Sequence, residues 1–340
     1  MKKLTFILAL VALSVAPVQA QYAGAFSRFG FGARSIAMGG THTADVFGGA
    51  SPYHNPALAP FTPSQNIEIS AAVMSFDRQL QHLQFAAPLR PRAGVAGGVV
   101  HAGVSGIDGR DASGYHTEDY STNEYAFFLA FGTRFSERFS GGLGLRLYRA
   151  DLIDGVDAPT SLGISAGLAG KVTENIAIGF AVDDLLAKYD WDTSDLLGDA
   201  GGQTTDQFPV RLRLGGAYQL SGGRGMVSAE IESQIQAAEA NGPTAIETIT
   251  GIPLPSTEAR DLTLSEIAFR VGGEYWFVEQ FAARIGYDGL GTGSLSEATP
   301  SAGFAVRQQF GDLNARLDYA ATLEPFASGT MHVFTLHLEL

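Results

Sequence analysis

The sequence predicts an all-β protein: a transmembrane antiparallel β-barrel of about fourteen strands, with an N-terminal hatch or plug inside its lumen. Three observations predict it. From about Asn66 onward, apolar residues recur at every second position, the period of a strand with two unlike faces. The connections between these segments alternate between very short and long. The chain ends in "HVFTLHLEL", where Phe334, Leu336, Leu338 and Leu340 oppose Thr335, His337 and Glu339, as expected if the last strand closes a ring.

The elements follow in order. Residues 1–20 read as a signal peptide: Lys2 and Lys3, the short apolar run "LTFILALVALSVA", then "VQA", with cleavage after Ala20. The run is shorter than the roughly 20 residues of a spanning helix, which argues against a retained anchor. Residues 21–65 neither alternate nor repeat helically, and they form the expected hatch. Residues 66–340 form the barrel. Within it, "GGLGLRLY" sets Leu143, Leu145 and Leu147 against Gly144, Arg146 and Tyr148, and "IAIGFAV" sets Ile176, Ile178, Phe180 and Val182 against Ala177, Gly179 and Ala181. "SER" (136–138), "TEN" (173–175), "SGGRG" (221–225), "VEQ" (278–280) and "GD" (311–312) are expected turns, whereas Ser105–Thr122, Lys188–Phe208 and Gln236–Leu262 are expected long loops. Short turns on one side and long loops on the other suit an outer-membrane barrel, with both termini on the short-turn side. Phe76, Phe131, Phe135, Tyr218, Trp276, Phe277 and Phe310 are placed for aromatic girdles. A soluble β-sandwich alternates equally, but would bury its Leu and Ile face.

Composition narrows the function. There is no cysteine, which removes disulfides, thiolate metal sites and a lipid-anchoring cysteine. The net charge of -13 argues against nucleic-acid binding. Glycine, at 42 residues, is far above its usual share of about 7%, which suits close-packed β-structure.

The hatch reading gives its residues roles. Gly30, Gly32, Gly39 and Gly40 allow tight turns and close approach to the wall. Asn55 satisfies its own backbone in an Asx-type turn, with Pro56 fixing the chain direction. Arg34, once buried, needs a carboxylate, and Glu68, Glu230, Glu232 and Glu266 are the inward candidates; the alternative is a solvated arginine. Gly97 and Gly98 fall mid-strand, where glycine marks a bend, so they are a candidate kink opening the wall; the alternative is that they make room for the hatch. Trp191, Leu196 and Leu197, in the acidic loop "YDWDTSDLLGDAGGQTTD", are a candidate partner or ligand surface.

No enzyme chemistry is legible. The seven histidines form no His-Glu-x-x-His, and there is no Gly-x-Ser-x-Gly elbow. His101 with Ser105 lacks an orienting third group. Asp190, Asp192, Asp195 and Asp199 suit calcium by type but miss EF-hand spacing, and read as a solvated acidic loop. No catalytic residue, metal or cofactor is expected.

"GARSIAMGGTHTADV" followed by "YHNPALA" resembles the N-terminal signature of FadL-like outer-membrane proteins, and most closely that of the PorV/PorQ family. Arg34, Met38, Gly39, Gly40, Asn55, Pro56 and Ala57 carry the likeness. Tyr53 holds the usual aromatic position, and Leu58 departs from a usual glycine. The resemblance implies a fourteen-stranded barrel with a hatch in the bacterial outer membrane. It also implies one of two roles. The first is a PorV-like component of type IX protein secretion or surface attachment, acting by binding secretion-system proteins or exported cargo. The alternative is FadL-type transport of long-chain fatty acids or other hydrophobic small molecules.

Overall fold

In a computed structural model, the described residues are 23–340, excepting 29, 50, 242–244, 247–252, 255–258, 291–298 and 325–328, and excepting the side chains of 197, 200, 236–241, 245–246, 253–254, 259–266 and 290. The leader expected over 1–20 and the side chains of Leu197 and Glu266 therefore lie outside the described residues; the expected loop 236–262 is instead strand at its ends, where Gln236–Asn241 pair with Ala259–Leu264, and 242–244, 247–252 and 255–258 within it lie outside the described residues.

Fourteen antiparallel strands close into a ring. They are β1 (Asn66–Val73), β2 (Arg78–Leu89), β3 (Ala93–Arg110), β4 (His116–Arg134), β5 (Phe139–Asp151), β6 (Thr160–Lys171) and β7 (Ile176–Leu185). There follow β8 (Val210–Gln219), β9 (Gly225–Asn241), β10 (Ala259–Val278), β11 (Phe281–Leu290), β12 (Thr299–Phe310), β13 (Leu313–Leu323) and β14 (Thr330–Glu339). Closure joins β1 to β14, from Asn66 opposite Glu339 to Val73 opposite His332. Every strand thus has two partners, which a sheet in hydrocarbon requires because an unpaired backbone group there costs several kcal/mol.

The ring decides between the two alternating designs. Leu145 on β5 pairs with Leu129 on β4 and Ile164 on β6. Leu145 and Leu129 are 48% and 63% exposed, as are Leu143, Leu168, Ile178, Leu214, Ile231, Ile285 and Leu317 to similar degrees. Their alternates, Ala130, Ser165, Ala177 and Ala217, are buried. The greasy face therefore points out all round the ring, far beyond the few hundred Å² of apolar patch a soluble monomer tolerates. A Leu145→Arg substitution puts a charge mid-belt and is expected to destabilise the barrel by about 2–4 kcal/mol, measured by urea unfolding from lipid vesicles.

Phe135, Tyr218, Phe277 and Phe310 stand exposed at the short-turn end and Phe76 at the other. Trp276 differs: it turns into the short-turn mouth, under the Arg307 guanidinium at 4.8 Å. The expected loop 105–122 is also different. β3 and β4 continue through it as a ribbon, with a register shift between Val104 and Ile107, and only residues 111–115 turn. Within the loop after β7, residues 188–192 and 203–207 pair as a small hairpin.

Candidate functional site

The described residues of 23–65 touch inward-facing residues on opposite sides of the ring. On one side Ala33 N–H donates to Thr335 Oγ1 of β14 at 2.7 Å, and Gly39 meets the β11 backbone at Tyr287 and Gly286. On the other, Ser140 Oγ of β5 donates to the Ala57 carbonyl at 2.6 Å, and the Ala59 carbonyl lies against Gly94 of β3. The segment folds as three short pieces, Ala25–Arg28, Ala33–Ala37 and Pro56–Phe61. Gly32, Gly39 and Gly40 sit at φ 81°, 63° and 79°, where a side chain is strained, and so reverse the chain around the Ala33–Ala37 turn.

The close approach depends on what the wall omits. A Cβ at Gly286 would stand 2.1 Å from Gly39 N, and one at Gly179 would stand 1.9 Å from the Thr43 carbonyl oxygen. Gly94, Gly132, Gly142, Gly167, Gly272 and Gly303 receive the segment in the same manner. These inward wall glycines shape the seat, and reading the sequence strand by strand did not single them out. Their signal is glycine on the polar face, opposite the Leu/Ile face.

Asn55 locks one side. It is fully buried; its Oδ1 accepts from Ala57 N–H at 3.0 Å, and its Nδ2 donates to the Thr43 carbonyl at 2.8 Å and the Leu168 carbonyl at 3.2 Å. Pro56 follows, against Gly142. Because a Cβ at Gly167 would stand 1.9 Å from Asn55 Oδ1, Gly167→Ala and Asn55→Ala are expected to act alike. Each loses about 1–3 kcal/mol from unpaired buried polar groups, read as earlier opening of this segment in hydrogen exchange.

Arg34 locks the other. Its guanidinium holds Glu274 of β10 with two hydrogen bonds, 3.0 and 3.2 Å, and pairs with Asp45 of its own segment. Of the expected partners, the three whose side chains are described do not hold it. Glu230 accepts the backbone N–H groups of His42 and Thr43 at 3.2 and 3.0 Å, Glu232 pairs with Arg270 at 2.7 Å, and Glu68 stands 3.6 Å from His82 and His337. Glu230 thus serves the buried amides of a backbone turn, and its other oxygen stands 3.6 Å from the Arg270 guanidinium.

Around the segment runs a buried charge network that sequence reasoning missed. β7 carries a bulge: Ile164 faces Leu185 and Ala166 faces Val182, so Asp183 and Asp184 both oppose Ser165. Both carboxylates therefore turn inward. Asp183 pairs with Arg213 and, at 3.0 Å, with Arg146; Asp184 pairs with Arg146 at 3.1 Å and Arg211 at 3.0 Å, and accepts from Tyr148 Oη at 2.6 Å. Arg146 also donates to the Tyr53 carbonyl at 2.6 Å, and Arg213 to that of His54, tying the network to the segment. Arg284 bridges Glu274 and Asp318, both at 2.6 Å.

Beside the charges lies an aromatic layer. Phe31, Tyr53 and Phe128 meet edge to face with centroids 4.9 Å apart, and Tyr148, Phe208 and Tyr189 continue it at 4.6 and 5.0 Å. Phe26 closes on Tyr148. Trp191 packs partly against this layer and donates to Asp206 at 3.0 Å, so it is not a free surface residue, whereas Leu196 is exposed.

The expected wall kink is absent. The ladder runs unbroken through Gly97 (opposite Phe85 and Leu129) and Gly98 (opposite Gln84 and Phe128). Gly98 instead clears the Phe128 ring, whose Cε1 would lie 2.8 Å from a Cβ there.

The loop carboxylates serve their own hairpin. Asp190 takes Lys188 at 2.9 Å and Thr205 at 2.6 Å; Asp192 takes Gln203 and Ser194, whose hydrogen bonds hold its pKa down at about 2. His101 bonds Asn123 at 2.9 Å and stacks on Tyr125, not on Ser105.

No protein-family model matches the sequence, and no curated relative matches it. Solved structures do. The Pseudomonas putida toluene transporter TodX superposes with a TM-score of 0.58 at 16% identity, over 91% of this chain and 96% of that one. The Ralstonia pickettii toluene transporter TbuX gives 0.55 at 14%, over 91% and 97%. A Pseudomonas aeruginosa FadL homologue gives 0.56 at 13%, over 90% and 97%. Such identities speak for the fold, and the chain has the FadL-like barrel fold.

Proposed function

We propose that this protein is an outer-membrane barrel, exported by the leader at 1–20, that passes hydrophobic small molecules around a hatch formed by residues 21–65. The aromatic layer carries the reading. A bore crossed by buried ion pairs has no electrostatic need for Phe26, Phe31, Phe128 and Phe208 in contact; a lane for apolar solutes does. The shared fold with proteins described as toluene transporters supports it. Because the β3 ladder is intact and Phe26 fills the layer, passage requires the segment's first turn to move. The chain is read as a non-enzyme, without cofactor.

The test is direct. The purified barrel is expected to bind toluene or a long-chain fatty acid saturably in detergent, followed by quenching of Trp191, which packs against the layer. Phe208→Ser, on the loop side of the layer, is expected to weaken binding roughly tenfold, the loss of one buried aromatic contact. Absence of binding to either ligand by a folded barrel refutes the reading.

A second reading remains favoured by one observation. The closed wall at Gly97 and Gly98 suits a sealed barrel that acts through partners, as the PorV/PorQ-like signature implies for type IX secretion or surface attachment. Co-purification of secretion-system proteins or exported cargo from outer-membrane extracts, without ligand binding, selects it.

A further inference from the structure

We propose that the bore carries a second, polar route, by which water and small monovalent ions pass the N-terminal segment, and that His42 and His54 form its constriction. The route does not rest on the transport reading, because ion flow is read separately from ligand binding; it passes beside the aromatic layer, where His54 meets Tyr53 edge to face at 5.4 Å.

Polar space reaches this pair from both ends. At the short-turn mouth a cavity of about 410 Å³ is lined by Arg34, Gly48, Gly49, Glu274, Arg316 and Glu339. It continues, through shared Arg34, Gly48, Gly49, Arg316 and Glu339, into a space of about 30 Å³ that ends at Ser35 and His42. From the long-loop side a cavity of about 160 Å³, bordered by Arg213, Arg270, Asp288 and Ser301, ends at His54. Between the two spaces stand the imidazoles, centroids 5.1 Å apart, and Ser35 Oγ, 3.5 Å from His54 Nε2.

The residues at the constriction are built for water rather than for packing. His42 is 2% exposed, yet neither ring nitrogen has a well-formed hydrogen bond, although the Ser35 backbone stands close. A buried polar group so placed demands a partner. Among the described residues, Ser301 Oγ and Arg213 Nε in the cavity above are likewise without hydrogen-bond partners. Polar atoms facing spaces of this size are the condition for ordered water, which needs two to four such partners each. Side-chain torsions turn without moving the glycine-seated backbone elsewhere in the segment. A pair of imidazoles therefore opens and closes the route without unseating the segment.

The experiment is single-channel recording in KCl, with barrels delivered from proteoliposomes and incorporation checked by co-flotation. His42→Ala/His54→Ala is expected to raise conductance roughly fivefold or more over the parent, as a wider polar constriction does. His54→Phe, which fills the gap with an apolar ring, is expected to stay at or below the parent. Leu58→Ala opens comparable volume in the segment away from the route and is expected to match the parent. An unchanged double variant, or an equal rise with Leu58→Ala, overturns the proposal, since the first denies the constriction and the second reduces it to a loosened segment.

Discussion

An Arg34→Ala protein is expected to assemble its barrel but to hold residues 23–65 loosely, so that trypsin cuts after Arg28 in the otherwise folded protein. The reason is the division of Arg34's contacts. It is the ionic clamp between the segment, through Asp45, and the wall, through Glu274. Glu274 keeps Arg284 at 2.6 Å when Arg34 is gone, so the wall's own charge network survives. Among the described residues, Asp45 then keeps only the Phe47 N–H as a side-chain hydrogen bond, at 3.3 Å. Removing one member of a buried pair costs about 3–5 kcal/mol, and here the cost falls on the segment's seating. Opening free energy lower by that amount raises cleavage at least roughly a hundredfold where opening is fast relative to cutting. Arg34→Lys is expected to restore protection only in part, because an ammonium cannot reproduce the two parallel bonds to Glu274. Unchanged cleavage in Arg34→Ala would show that the glycine seat alone holds the segment.

What the sequence made legible follows from which forces act locally. Alternation is a local property, and it placed Leu143, Leu145 and Leu147 on the face the ring exposes to lipid. Closure was legible for the same reason: the last residues alternate like any strand and pair with β1. What long-range geometry decides was not legible. Arg34's partner depends on which wall strand lies beside it, and four inward glutamates looked equivalent until Glu230 was found on two backbone amides. Gly97 and Gly98 resembled a bend because glycine weakens strands, yet paired neighbours on both sides keep that ladder straight. The glycines that matter to the segment, such as Gly179 and Gly286, look like any others in a glycine-rich strand. Only the opposing backbone distinguishes them.

Asp183 and Asp184 give the sharpest case. A strict two-residue rhythm sends one of two adjacent side chains to lipid, and a carboxylate there is costly. The bulge resolves the conflict by inserting a residue, with Asp184 at φ 62°, and both carboxylates enter the bore. The energetic consequence is large. Asp184 alone faces Arg146, Arg211 and Tyr148, and the first two are nearly fully buried. Asp184→Ala leaves Arg211 without its ion pair and weakens that of Arg146, so a loss of about 3–5 kcal/mol is expected, the penalty for a buried uncompensated charge. Asp184→Ala combined with Arg211→Met removes the orphaned charge with its partner and is expected to recover most of the loss, since an apolar side chain of similar volume substitutes for a buried pair at little cost. Urea unfolding from vesicles measures both. If the single variant unfolds at the parent's urea concentration, the carboxylate is solvated rather than paired. Recovery in the double variant ties the loss to this pair rather than to the bulge's backbone, whose left-handed residue alanine strains in both proteins alike.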